Sequence, residues 1–179
     1  MRIFSYLSRS AFLLLAASIV FAPAAARGLG PGGDVYFGYS RSGANNFIAN
    51  TPAENGWDAA GELHFIPFLG AEVDVAHYGL GASNNDARTT TVLVGPRVTV
   101  GLAGIHLFAH GLVGAAHSYS VGGPLSYSKT PLAGDVGGGA DFRLLPFFAW
   151  RVVGDYITTT DSPSNANHYR FGTGLVFRF

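Results

Sequence analysis

The chain contains no cysteine. That excludes a disulfide framework, a thiolate metal centre, a thiol nucleophile and a lipidated cysteine anchor. Lysine is nearly absent, with Lys129 the single one in 179 residues. Charged residues make up 12% of the chain, about half of the roughly 25% usual in soluble proteins. A water-facing exterior is normally covered by Lys and Glu, so either this exterior faces something else or the charges are concentrated in a few places. Beyond the N-terminus no stretch approaches the roughly 20 apolar residues of a spanning helix. A membrane location for the mature chain therefore requires a barrel. What is abundant is glycine, 25 residues, and aromatic side chains, 13%.

The N-terminus reads as a secretory signal peptide. Arg2 and Arg9 give a positive start, residues 11–21 form an apolar run broken only by Ser18, and Pro23 precedes an A-x-A pattern at Ala24-Ala25-Ala26. Domain boundaries follow: signal peptide 1–26, a short Gly/Pro-rich lead-in 27–33, and one folded domain 34–179. Removing Arg2 and Arg9 from 11 basic residues leaves 9 against 11 acidic ones, a formal charge of −2. Nucleic-acid binding, which needs a basic patch, is not expected.

After residue 33 the chain alternates between period-two stretches and turn-rich breaks. Eight strands are expected, at 34–42, 57–65, 70–79, 88–100, 105–117, 131–143, 148–159 and 168–179. Three breaks are short and carry apolar or Gly/Pro residues: 66–69, 101–104 and 144–147. Four are long and polar: 43–56, 80–87, 118–130 and 160–167. The two kinds alternate, so an up-and-down meander puts all the long loops at one end and both termini at the other. Short turns at one end and long loops at the other is the asymmetry of outer-membrane barrels, and an even strand number lets the sheet close and abolish its edges.

The two faces of the strands differ. Asp58, Ala60, Glu62 and His64 oppose Trp57, Ala59, Gly61, Leu63 and Phe65; Glu72 and Asp74 oppose Ala71, Val73 and Val75. Thr89, Thr91 and Arg97 oppose Val92, Val94, Val98 and Val100; Asp135, Asp141 and Arg143 oppose Leu132, Val136, Ala140 and Phe142. Arg151 and Asp155 oppose Phe148, Trp150, Val152 and Tyr156, and the first strand fits if Val35, Phe37 and Tyr39 face out. The strand at 105–117 does not sort, because His106 and His110 share a face with Phe108 and Leu112. Alternation alone also fits a soluble ligand-binding barrel with its apolar face inside. Export, scarce charge, and aromatics near strand ends (Trp57, Phe65, Tyr78, Phe142, Phe148, Tyr156, Tyr169, Phe171) favour the opposite orientation, with the apolar face toward lipid and an aromatic girdle.

The final strand carries Tyr169, Phe171, Leu175, Phe177 and Phe179 at alternate positions and ends on an aromatic. It resembles the C-terminal assembly signal of bacterial outer-membrane proteins. With the signal peptide and eight strands, the chain is similar to the small OmpA-like and OmpX-like barrels, including the opacity-type porins. The resemblance implies an all-β, eight-stranded antiparallel transmembrane barrel in the outer membrane, expected to be a monomer. Its implied partners are outer-membrane lipids, periplasmic chaperones and the barrel-insertion machinery. The peptidoglycan-binding domain of full-length OmpA-type proteins is not expected.

If the polar face is the lumen, Asp58, Glu62, Glu72, Asp74, Arg97, Asp135, Asp141, Arg143, Arg151, Asp155 and Arg170 project into a narrow interior. Eight strands enclose a bore that side chains just fill. Both signs are present, which favours a plug of paired charges over a porin-like channel for small solutes. Neither a cofactor nor a metal is expected. His106 and His110 would stand about 13 Å apart along a strand, and His64, His77, His117 and His168 lack ligand-like spacing. A lipid A-modifying enzyme of the deacylase family needs a His two residues before its Ser. Here Ser164-Asn165-Ala166 echoes that stretch, but Ser162 stands where the His should be, and His117-Ser118 is wrongly spaced. A non-enzymatic protein is therefore expected. The glycine runs at 32–33, 122–123 and 137–139 precede no helix and lack a Lys-Ser/Thr ending, so they read as bending points rather than phosphate loops. The four long loops are the expected contact surface for an external ligand.

Overall fold

The computed structural model describes residues 32–44, 54–80, 87–120, 127–160 and 166–179. The signal peptide, the start of the lead-in, Ser162, Ser164, Asn165 and the Gly122-Gly123 run lie outside those residues. So do the centres of the four long loops.

Every described element is a strand. In chain order they are β1 (Gly33–Ala44), β2 (Glu54–Ile66), β3 (Leu69–Leu80), β4 (Ala87–Leu102), β5 (Ile105–Ser120), β6 (Tyr127–Lys129), β7 (Leu132–Leu145), β8 (Phe148–Thr159) and β9 (Ala166–Arg178). Neighbours pair antiparallel, β1 pairs with β9, and β4 pairs with β5, so the sheet closes on itself. β6 and β7 both pair with β5, at Ser118↔Lys129 and Ala115↔Leu132. They form one stave interrupted at Thr130-Pro131, where proline has no N–H to give the ladder. Pro131 still accepts a backbone hydrogen bond from Ala116. The barrel therefore has eight staves, as the sequence pattern predicts, and is closed by the β1–β9 and β4–β5 pairings.

The short turns are tighter than the pattern suggests. Residues flanking each break join the ladder, leaving two-residue connections at Pro67-Phe68, Ala103-Gly104 and Pro146-Phe147. Ala103 and Gly104 have φ of 46° and 90°, the positive pair that a two-residue hairpin needs to match strand twist. A proline cannot adopt that geometry. The two hairpins that contain proline each carry a register shift instead, between His64 and Ile66 and between Arg143 and Leu145. Both chain ends of the barrel meet at this end, where Gly33 and Phe179 exchange backbone hydrogen bonds.

Burial follows the period of two. Phe37, Val73, Val92, Val94, Val98, Val100, Leu107, Val113, Val136 and Leu175 are exposed, while the alternate positions are buried in the bore. That is an inside-out protein: the apolar face is outside, so a hydrocarbon medium and not water is what it matches. β5, which the pattern leaves unassigned, places Phe108, His110, Leu112 and Ala116 inside. Tyr78 corrects the expected girdle: it is buried in the bore, its hydroxyl 3.4 Å from Ser40 Oγ. It shares the parity of Glu72 and Asp74, and a tyrosine hydroxyl finds hydrogen-bond partners there that lipid would not offer. Glycine has a packing role where staves crowd: a Cβ on Gly95 would lie 2.1 Å from the Gly111 carbonyl oxygen, beside the gap that Pro96 leaves in the β4–β5 ladder.

Candidate functional site: an ion-pair network across the bore

Eight of the nine acidic residues among the described residues are buried in the lumen: Asp34, Asp58, Glu62, Glu72, Asp74, Asp135, Asp141 and Asp155. Arg97, Arg151, Arg170 and His110 are buried among them. The scarcity of charge on the exterior is thus the other face of its concentration inside.

The network has two tiers joined by one side chain. At the loop-side tier Arg170, 1% exposed, projects from β9 and meets three walls at once. Its Nε donates to Asp155 on β8 (2.5 Å), Nη1 to Asp74 on β3 (2.7 Å) and Nη2 to Asp135 on β7 (3.1 Å). At the turn-side tier Arg97 of β4 lies 3.1 Å from Glu62, 3.3 Å from Glu72 and 3.5 Å from Asp141. Arg151 grips Asp141 with Nε (2.6 Å) and Nη2 (2.9 Å), the bidentate geometry that suits a guanidinium best. Arg178, partly exposed at the rim, adds contacts to Asp141 (3.0 Å), His106 (3.1 Å) and Asp34 (3.5 Å). His110 spans the tiers, with Nδ1 3.1 Å from Glu72 and Nε2 3.0 Å from Asp155. Phe108 fills the space between: the Arg97 guanidinium carbon is 3.7 Å from its ring centroid and that of Arg151 4.7 Å.

Physical chemistry explains why these groups sit together. A charge in a bore walled by lipid must find an opposite charge, or it costs several kcal/mol or is neutralised. Packed side chains leave little room. Asp58 and Tyr36 border a cavity of about 10 Å³, the size of one water-sized sphere. Small apolar clusters close the rest, Tyr36 with Ala60, Ala149 and Val176 on one wall and Leu93 with Leu112, Ala116 and Ala133 on another.

Ten of the eleven residues named from the sequence are brought into the bore. Arg143 is not: it is exposed beside the bulge that precedes the Pro146-Phe147 turn, past the mouth of the lumen. Sequence reasoning omitted Asp34, Phe108, His110 and Arg178. Asp34 and Arg178 had the correct parity, but His110 and Phe108 stand on the one strand whose faces do not sort. His110 touches both tiers yet is not the only partner of either acid, so its loss should be tolerated. His110→Leu is expected to lower stability by about 1–3 kcal/mol, read from the urea midpoint of barrel unfolding in lipid vesicles. No change in midpoint would mean that the two tiers are not coupled through this ring.

The assembly resembles known proteins as follows. A family model described as the outer membrane protein beta-barrel domain matches residues 12–179. Among solved structures, the barrel is similar to Neisserial surface protein A (NspA), with TM-score 0.67 and 10% identity over 83% of this chain and 96% of that one. It is similar to Ail, the attachment invasion locus protein of Yersinia pestis, with TM-score 0.58 and 19% identity over 84% of this chain and 100% of that one. It is also similar to the N-terminal barrel domain of Pseudomonas aeruginosa OprF, with TM-score 0.59 and 13% identity over 84% and 98%. No curated protein matches the chain by sequence.

Proposed function

The chain belongs to the outer membrane protein beta-barrel family and resides in the outer membrane, and from that premise we propose a non-enzymatic barrel with a plugged lumen that acts through its outer loops. Arg170 carries the reading. One guanidinium contacts acids on three separate walls, which occupies the bore where a solute would pass. The Ser-His pairing that a lipid A-modifying barrel would need is missing from the sequence. The signal peptide at 1–26 and passage by way of periplasmic chaperones belong to the same proposal, as does a monomeric state.

The external role is structural or adhesive. Exposed cations stand at the loop end, namely Arg41 in β1, Arg88 in β4 and Lys129 in β6. Ail has been crystallised with the heparin analogue sucrose octasulfate. A sulfated or phosphorylated glycan is the ligand chemistry these cations would meet.

The alternative is a narrow passive channel, and single-channel recording separates the two. Refolded barrel inserted in a planar bilayer is expected to remain silent. Steady, ion-selective openings would defeat the plug and turn Arg97, Arg151 and Asp141 into selectivity residues.

A further inference from the structure

The linear spacing of the histidines argues against a metal, but cross-strand register brings together donors that spacing cannot relate. Asp34 of β1 lies directly opposite Glu62 of β2, and His64 is two residues further along the same face. One donor atom from each of the three lies within 4.8 Å of those of the other two, at the turn-side mouth of the barrel. We propose that Asp34, Glu62 and His64 form a binding site for a divalent transition-metal ion, open to the periplasm.

Three observations support it. His64 Nε2 lies 3.1 Å from Glu62 Oε1. Two ligands on one ion at roughly 2.0–2.1 Å stand about 2.9–3.4 Å apart, so the pair already has ligand spacing. Glu62 is 3% exposed, and its Oε1 and Oε2 face His64 Nε2 and Arg97 Nε at 3.1 Å each without reaching hydrogen-bonding geometry. A buried carboxylate that faces two charged nitrogens yet completes no hydrogen bond keeps lone pairs for a further ligand. Finally, His64 is partly exposed, so an ion can enter and retain a water or outside ligand.

The flanking arginines limit the site without closing it. Arg97 Nε lies 3.1 Å from Glu62 Oε2 and Arg178 Nε 3.5 Å from Asp34 Oδ1. Each carboxylate therefore turns one oxygen to an arginine and has a second for the ion. The imidazole selects against calcium and magnesium, which take oxygen ligands, and in favour of zinc-like ions. A second trio in the bore, His110, Asp135 and Asp155, is already engaged: both ring nitrogens of His110 are bonded and Arg170 holds both acids.

The test uses Zn²⁺ alone. Metal-free barrel, refolded in detergent and shown to be folded by its heat-dependent gel shift, is titrated by calorimetry. One saturable equivalent is expected. His64→Ala and Asp34→Asn should each weaken binding by about tenfold or more, since even an outer-shell partner of a metal is worth 10–100-fold. His77→Ala, at the opposite end of the barrel, should leave stoichiometry and affinity unchanged. Absence of saturable binding by the native barrel overturns the proposal, and so does undiminished binding by the two site variants. Should either variant lose its gel shift, His64→Gln, which retains size and polarity at the rim, takes its place with the same expected loss.

Discussion

Replacing Arg170 with leucine is expected to cost about 3–5 kcal/mol of barrel stability, the usual effect of removing one partner from a buried charge network. The substitution conserves much of the volume and removes the only group among the described residues that touches Asp74, Asp135 and Asp155 together. The three carboxylates are 2%, 2% and 5% exposed, so water cannot take over the role of the guanidinium. His110 still reaches Asp155, but nothing comparable replaces the contacts to Asp74 and Asp135. The heat-dependent gel shift should disappear at a lower temperature, and the urea midpoint in vesicles should fall well below that of His110→Leu. Neutralising the stranded acids in the same chain, with Asp74→Asn and Asp135→Asn, should recover a substantial part of the loss. An unchanged midpoint in Arg170→Leu would show that the three walls are held by backbone pairing alone and that the guanidinium bridge is incidental.

The second large effect concerns conduction. Arg97→Ser combined with Phe108→Ala removes a fully buried guanidinium and the ring it stacks on, in the middle of the bore. Small side chains in their place should open a water-filled path where the native barrel is silent. The path should prefer cations. Eight buried acids face four arginines in the native lumen, counting the partly exposed Arg178, and only three remain after the substitution. A passage lined by one sign of charge with low-dielectric walls raises the local concentration of counter-ions by roughly tenfold or more. Reversal potentials across a salt gradient read this directly. Anion-selective openings would show that the acids are not ionised in the lumen, and persistent silence would place the block in the apolar cluster of Leu93, Leu112, Ala116 and Ala133.

Much of this architecture is legible in the amino-acid order, for a local reason. Side chains on a strand alternate faces with a period of exactly two residues per repeat, so Glu72 and Asp74, or Arg151 and Asp155, declare a shared face without any knowledge of their partners. The alternation of short and long breaks likewise sets the number of staves. Where local signals mixed, the reading stopped. β5 carries Phe108 and Leu112 beside His106 and His110 on one face, so hydrophobicity could not orient it. Closure orients it: His110 can sit between Glu72 and Asp155 only if that face is inside. Tyr78 stands at a strand end, where an aromatic is expected in the girdle, but its parity puts it in the bore. Arg143 has lumen parity but stands beside a bulge at the strand's end, where alternation no longer decides whether a side chain is enclosed.

The sequence by itself determined an inside-out, period-two chain with its acids and arginines on one face and lipid-compatible residues on the other. Tertiary structure alone decided who meets whom. Arg170 and Asp74 are 96 residues apart, and Asp34 meets Glu62 only through strand register. Alternation is a property of each strand, whereas pairing across a closed bore depends on register, turn length and bulges summed around the whole ring, and no single stretch of sequence contains that sum.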